Sequence, residues 1–346
     1  MNRKELVTTL ELASRALAST NLIPVFQCFY FTGKSVIAYN DSLGIIAPCK
    51  TDEAFAVNGN VLLGLLRNSH SEAVEFAFGE DNDLVVKAGR STFKLPWFPK
   101  EDYPFEEPKE SYKVRIPLND DLLTGLSACS LTASKDTATQ AALAGVCLAV
   151  KNRQIALYST DGDAISRYVT DCGFGGNIKY LMPNAFCEAV IKTYGEIEAA
   201  QGTLEVSEGW AKASLSGYLI YGRLLEVDEP IDYEAWIKKT LKGTPQFVPL
   251  PKGFEHALSR ARVVADPESA KTMLSVQANR VKLLTETSMG VVRDTLAFGE
   301  HQEVEAAVSA ELIQRCASLC SEMAIFENCV VFKNEEKLFI LTSNMG

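Results

Sequence analysis

Asn58-Gly59-Asn60-Val61-Leu62-Leu63-Gly64-Leu65-Leu66-Arg67 is the stretch from which the organisation of the chain is read. The polar Asn-Gly-Asn start precedes a helical pattern over Val61 to Arg67. Two strands follow it, Ala73 to Phe78 and Leu84 to Ala88, joined by a Gly-Glu-Asp-Asn-Asp turn, and after Gly89 comes a third around Thr92 to Leu95. Upstream, β-rich segments run over Val25 to Tyr30, Ser35 to Tyr39 and Gly44 to Ala47. Before them lies an amphipathic stretch, Lys4 to Leu17, with Leu6, Leu10, Ala13 and Leu17 at the spacing of one helix face.

The same order returns twice. Asn119-Asp120-Asp121 caps a helix running to Leu131. Strands follow at Ala144 to Val150 and Gln154 to Ser159, a helix opens at Pro183 and runs to Tyr194, and strands lie at Gly202 to Val206, Ala211 to Ser214 and Tyr218 to Leu225. A third pass has helices over Phe254 to Val264 and Ala310 to Leu319, with strands at Met273 to Gln277, Val281 to Glu286, Val330 to Lys333 and Lys337 to Leu341. The second helices begin near Asn58, Pro183 and Ser309, a period of about 125 residues, too long for a solenoid and suited to a triplicated domain. Polar, Pro-bearing stretches at Lys100 to Pro108 and Lys238 to Pro245 have the character of linkers. The expectation is an α+β chain of three modules, residues 1–110, 111–243 and 244–346.

Composition narrows the function. With 346 residues, 47% apolar and 23% charged, the chain should fold as a multi-domain globular protein. No apolar run reaches the roughly 20 residues of a membrane span, and the start runs straight into an amphipathic pattern, so a cytoplasmic location without membrane contact is expected. Nine cysteines without a CxxC spacing read as reduced core residues. A net charge of -10 argues against indiscriminate wrapping of nucleic acid, although an acidic protein can carry a basic lining.

Local motifs sharpen the picture. Gly89-Arg90-Ser91-Thr92-Phe93-Lys94-Leu95-Pro96 followed by Asp102-Tyr103-Pro104, Leu157-Tyr158-Ser159-Thr160-Asp161-Gly162, and Pro230-Ile231-Asp232-Tyr233 together resemble, in order and spacing, the sliding clamp (beta subunit) family of bacterial DNA polymerase III. The resemblance implies the DNA clamp fold: three helix-and-sheet modules per chain, two chains joined head to tail, helices lining a ring and sheets on its outside. It implies a processivity factor that performs no catalysis, encircles duplex DNA without reading its sequence, and holds a polymerase and a clamp loader through short peptide motifs. No cofactor and no metal are expected.

Such a protein holds DNA by topology and needs only diffuse charge toward phosphates. Arg15, Arg67, Lys192, Arg260 and Arg315 fall on the helices that the resemblance turns inward. Arg67 and Lys192 take matching places on two of them. The loop from Lys135 to Ala144 lacks the arginine and aromatics common in the family, which leaves Lys135 and Gln140 as its DNA contacts. Carried over from the family, the partner-peptide pocket is walled by Thr160, Gly162, Asp163, Ala164, Ile165, Pro230, Trp236, Ile237, Leu341 and Met345. Ring closure sets Phe93 and Leu95 of one chain against Val263 and Val264 of the next. The end, Thr342-Ser343-Asn344-Met345-Gly346, departs from the family's Met-Pro-Met-like terminus, and Asp163-Ala164 stands where a basic residue is usual. A divergent member serving the polymerase of a phage or mobile element would fit both departures. The alternative is a clamp-fold interaction or decoy protein that keeps the pocket without encircling DNA.

Enzymatic signatures are missing from the sequence. The three histidines, His70, His256 and His301, lack metal-ligand spacing. Asp161-Gly162-Asp163 has Ile165 where a phosphatase-like motif needs threonine, so it reads as a turn. Gly173-Phe174-Gly175-Gly176 lacks the third glycine of a dinucleotide fingerprint, and no phosphate-binding loop or nucleophile elbow occurs.

Overall fold

The computed structural model describes every residue except 20–22, 80–82, 100–102, 135–140, 174, 198–200, 266–270 and 344–346. Its first repeat runs α1 (Arg3–Ala13), β1 (Cys28–Phe31), β2 (Ser35–Tyr39), β3 (Leu43–Pro48), β4 (Phe55–Asn58), α2 (Gly59–Arg67), β5 (Val74–Phe78), β6 (Asp83–Ala88) and β7 (Ser91–Phe98). The second runs β8 (Val114–Leu118), α3 (Asp120–Thr132), β9 (Gly145–Lys151), β10 (Gln154–Thr160), β11 (Ala164–Asp171), β12 (Asn177–Pro183), α4 (Asn184–Glu196), β13 (Gly202–Val206), β14 (Trp210–Leu215) and β15 (Tyr218–Arg223). After α5 (Tyr233–Thr240), the third runs β16 (Val248–Pro249), α6 (Phe254–Val264), β17 (Thr272–Gln277), β18 (Arg280–Thr287), β19 (Gly290–Ala297), β20 (Val304–Val308), α7 (Ala310–Ala317), β21 (Glu322–Ile325), β22 (Cys329–Asn334) and β23 (Leu338–Ser343).

The repeats share one strand plan, to which the first adds a short pairing of β4 with the end of β7, Ala56 opposite Phe98 and Val57 opposite Trp97. Four antiparallel strands lie between the two helices, in the orders β4-β1-β2-β3, β12-β9-β10-β11 and β20-β17-β18-β19. The strand before the first helix pairs with those after the second, as β8-β13-β14-β15 and β16-β21-β22-β23. In the first repeat β5-β6-β7 has only a single bridge, Asn2 to Ala73, in place of the leading strand.

Local chemistry starts α1, α2 and α7 close to where the sequence reading puts them, and starts α5 where that reading marked no helix. Side-chain oxygens of Asn2, Asn58, Asp232 and Ser309 accept N–H groups in the first turns of α1, α2, α5 and α7, satisfying donors that have no partner within the helix. The first helix is shorter than its periodicity suggests and ends at Ala13, where the chain tightens into a 3-10 turn over Ser14–Ala16. Part of the expected second linker is helical, being the end of α5.

Contacts divide the chain into two compact units, and both cut the middle repeat. One holds residues 1–120 and 185–224; the other holds residues 121–184 and 225–346. In the first, β3 joins β15 with Leu219 opposite Ile46, Ile220 opposite Ile45, Tyr221 opposite Gly44 and Gly222 opposite Leu43, so the first sheet continues into the second repeat. The connecting stretch after β7 straps this seam. Phe105 lies between Tyr39 and Tyr221, with ring centroids 5.0 and 5.9 Å away, and Tyr221 donates to Glu107 at 2.7 Å. Gly44 is obligatory beneath the strap, because a Cβ there would sit 2.6 Å from the Phe105 ring. In the second unit β11 joins β23 in the same way, Ile165 opposite Leu341. Among the described residues β19, the third strand of this type, has no partner beyond β18.

Candidate nucleic-acid and partner interfaces

Three of the predicted cations come together in the first unit. Arg15 follows α1, Arg67 closes α2 and Lys192 lies on α4; with Thr8, Glu11, Leu12, Ser14 and Glu196 they line one surface depression of about 400 Å³. Two of them are already answered: Arg67 Nε lies 2.8 Å from Glu11, and Lys192 Nζ lies 3.2 Å from Glu196, one helical turn on. Arg15 is exposed and has no acidic partner among the described residues. The depression is a mixed surface of net charge close to +1, able to attract a phosphate chain without fixing it.

The cations of the second unit are more tightly committed. Arg260 on α6 reaches Asp294 on β19 through two nitrogens, at 2.6 and 3.2 Å, the bidentate geometry that makes such pairs directional. Arg315 on α7 donates to the Leu131 carbonyl at 3.3 Å, and its Nε is buried. It braces the end of α3 and is not a free surface cation. Arg262, absent from the sequence reading, donates to Gln314 at 2.8 Å, and Gln314 donates to Ser259 at 2.7 Å, which couples α6 to α7. Lys135 and Gln140 lie outside the described residues.

The expected pocket residues gather around one apolar cluster of the second unit. Ile165, Ile237 and Leu341 are buried in it with Cys147, Tyr233, Phe326 and Val331, while Trp236 and Ile231 pack at its margin, half-buried. Helix α5 is held to the sheet beneath by its first turn. Tyr233 stacks on Tyr158 at 5.1 Å, Tyr158 donates to Glu234 at 2.8 Å, and Arg167 lies 3.4 Å from the same carboxylate and over the Phe339 ring. Lys179 donates to the Ile231 carbonyl at 2.8 Å and sits over the Tyr233 ring. Thr160 and Ala164 are buried in the turn below, whereas Gly162, Asp163 and Pro230 are exposed. Asp161 is spent within that turn, accepting from the N–H groups of Asp163 at 3.0 Å and Ala164 at 2.8 Å. Met345 lies outside the described residues.

At the unpaired β19 edge, apolar side chains face solvent. Val263 is 82% exposed, Met289 80% and Val291 51%, and the Val264 carbonyl accepts from the Thr287 hydroxyl at the turn before β19. In the first unit Phe93 is half-buried and Leu95 buried on the inward face of β7, with Phe98 37% exposed at its end. Long exposed edges with apolar neighbours are uncommon in isolated proteins, because they template pairing with another chain.

Comparison with known proteins matches this architecture. The family model described as DNA polymerase III beta subunit, N-terminal domain, matches residues 1–107. Solved structures match end to end. The sliding clamp of Bartonella birtlesii bound to griselimycin has TM-score 0.85 and 17% identity, covering 100% of this chain and 98% of that one. The Thermotoga maritima beta subunit has TM-score 0.83 and 18% identity, with the same coverage. That of Streptococcus pyogenes has TM-score 0.82 and 15% identity, again over 100% and 98%. The chain has the sliding-clamp fold. The beta-subunit family model matches residues 1–107 alone, and no curated relative matches the sequence.

All nine cysteines are free, and burial pushes Cys28, Cys147 and Cys329 up to about 11 and Cys320 up to about 12, so these thiols stay protonated and unreactive at neutral pH. Among the described residues no cluster of His, Cys, Asp or Glu could hold a metal, and no helix is long and apolar enough to cross a membrane. Sequence reasoning missed Asp121. Burial raises its pKa, but hydrogen bonds from Lys337 at 2.5 Å, Thr170 and Tyr168 at 2.8 Å, together with the lysine charge, outweigh burial and hold the carboxyl below its ordinary 3.8. A depressed folded-state pKa contributes stability above the ordinary value and loses it as pH falls through the depressed one. Asp121→Asn should therefore lower Tm at pH 7, and the gap to the parent should close on acidification below the ordinary carboxylate range. A gap that stays constant with pH would assign the effect to packing alone.

Proposed function

We propose that the protein is a DNA sliding clamp: two chains close head to tail around duplex DNA and tether a polymerase to it, with no catalytic step of their own. The observation that carries this reading is the β19 edge. Both other strands of its type, β3 and β11, are completed by the last strand of the repeat that follows them, β15 and β23. By the same rule β19 requires the last strand of a following first repeat, which is β7 of a second copy. Hairpins β14–β15 and β6–β7 share a two-residue turn, and β19, like β3, follows a tight turn. Transferring the β3–β15 register therefore sets Phe93 opposite Val292, Leu95 opposite Gly290 and Lys94 opposite Val291. Phe93 and Val292 are both half-buried and both inward, so the transferred register keeps apolar sides together. Val263 and Val264 would then cover Phe93 and Leu95.

Retention by a closed ring needs little affinity, which suits helices whose cations are largely neutralised. Loaded onto nicked circular DNA, the protein should stay bound through gel filtration, and it should run off within the same time once the circle is cut. Equal loss from circular and linear DNA would refute encirclement.

Partners are held, in this reading, at the α5 cluster, where an apolar anchor of a flexible tail would sit beside Trp236 over the buried floor of Ile165, Ile237 and Leu341. Trp236→Ala should weaken binding of a polymerase-derived tail peptide by about tenfold or more, read by fluorescence anisotropy. Unchanged affinity would move the pocket elsewhere.

A further inference from the structure

We infer, on the reading of the α5 cluster as a partner site, that the seam of the first unit is a second copy of that site, held shut by the chain's own Tyr39. Thr160 is the residue that leaves the copy in the second unit open.

The two seams are built on one frame. Tyr39 pairs with Gly44 as Thr160 pairs with Ile165, and across the seam Gly44 faces Tyr221 as Ile165 faces Leu341. The turns between these strands agree as well. Asn40 accepts from the N–H groups of Ser42 at 3.3 Å and Leu43 at 2.9 Å, as Asp161 does from Asp163 and Ala164. The residue that follows has a positive φ in both turns, 78° at Asp41 and 99° at Gly162. Upstream, the carbonyls of Phe26 and Leu143 hold matching places, four residues before the paired positions Tyr30 and Cys147. The first accepts from the Ala18 N–H at 3.0 Å and the second from the Ser134 N–H at 2.8 Å.

On this frame the side chains differ. At the first seam the Tyr39 ring packs edge-on against Phe26, with centroids 5.6 Å apart, and lies 5.0 Å from Phe105 on its other side. Its hydroxyl donates to the Asp41 carbonyl at 3.0 Å, and Phe26 and Tyr39 are 8% and 7% exposed. At the second seam Leu143 stands for Phe26 and Thr160 for Tyr39. The threonine ends within its own turn, donating to the Ala164 carbonyl at 2.6 Å, and has no ring to lay on Leu143, which is half-buried. Interiors close such spaces with side chains, and a space left open beside apolar walls is where a side chain from another molecule packs. Tyr39 thus supplies in cis what a partner supplies at the α5 cluster. The first seam is structural, and each chain offers one partner place.

The test uses the full-length protein, with p-cresol, the side chain of tyrosine, as the probe and backbone amide NMR as the readout. In the parent p-cresol should shift the Asp163 and Ala164 amides and leave those of Ser42 and Leu43 in place. Tyr39→Ala should open the first seam, so that the same concentration shifts both pairs and raises the Tm of the variant. Thr160→Tyr should close the second seam, removing the response at Asp163 and Ala164 and weakening a polymerase-derived tail peptide by about tenfold or more. Each variant is read by itself, so loss of fold in one leaves the other decisive. A response at Ser42 and Leu43 in the parent would mean that the first seam is not shut, and a folded Tyr39→Ala protein silent there would mean that no copy lies beneath the ring. A parent silent at Asp163 and Ala164 would lack the space beside Thr160. If Trp236→Ala weakens the peptide and Thr160→Tyr does not, the α5 site stands and the plug falls. If neither weakens it, the α5 reading itself fails and takes the copy with it.

Discussion

Val263→Glu should convert the protein from a dimer near twice 37.9 kDa into a monomer in size-exclusion light scattering, with no loss of Tm. In the single chain Val263 is 82% exposed, so a carboxylate there costs the fold little. In a closed ring the same position is buried against Phe93 and Leu95 at both seams. An unpaired buried charge costs about 3 kcal/mol or more at each, or roughly four orders of magnitude in the dimer dissociation constant. The register is open to a separate check. Lys94→Cys combined with Val291→Cys should give an interchain disulfide under mild oxidation, since facing residues on paired strands lie within disulfide reach, while Lys94→Cys alone should not. A Val263→Glu protein that remains dimeric would place the contact between chains elsewhere and remove the main support for a ring.

The second large effect concerns salt. If Arg15, Arg67 and Lys192 each met a phosphate freely, three contacts would make DNA affinity fall about 40-fold between 50 and 200 mM salt. Glu11 and Glu196 hold two of the three, at 2.8 and 3.2 Å. The parent should therefore approach the dependence of a single contact, about three- to fourfold over that range. Glu11→Gln with Glu196→Gln should steepen it toward the full value, tighten binding at low salt and slow diffusion along the duplex. A double variant with the slope of the parent would mean that this depression does not face DNA. The proposed chemistry is one of restraint, because a protein that must move along its track gains nothing from strong local attachment.

How much of this was legible beforehand differs between elements. The second helices start at Gly59, Asn184 and Ala310, each one residue after Asn58, Pro183 and Ser309; at α2 and α7 the reason is N-capping, a local matter of one side chain and the N–H groups beside it. Strand β19 was not legible. Its alternation is blurred because Val291 points outward into solvent and Asp294 is drawn toward Arg260, the pattern of an edge that lacks its neighbour. Of the cations, sequence position singled out six, of which Lys135 lies outside the described residues. The fold brought Arg15, Arg67 and Lys192 to one surface, tied Arg260 to Asp294 and turned Arg315 into a brace for α3.

By itself, the order of residues determined the triplicated plan, the places where helices begin, the reduced and buried cysteines and the apolar stretches that became the α5 cluster. All of these follow from periodicity, capping and burial preference, which act over a few residues at a time. Only the tertiary structure decided that the middle repeat is shared between two compact units, that each seam carries one repeat's sheet into the next, and that β19, among the described residues, is left with an open edge. Those outcomes depend on which strands find each other across more than a hundred residues of chain, and hydrogen bonds between strands leave no local mark in the sequence.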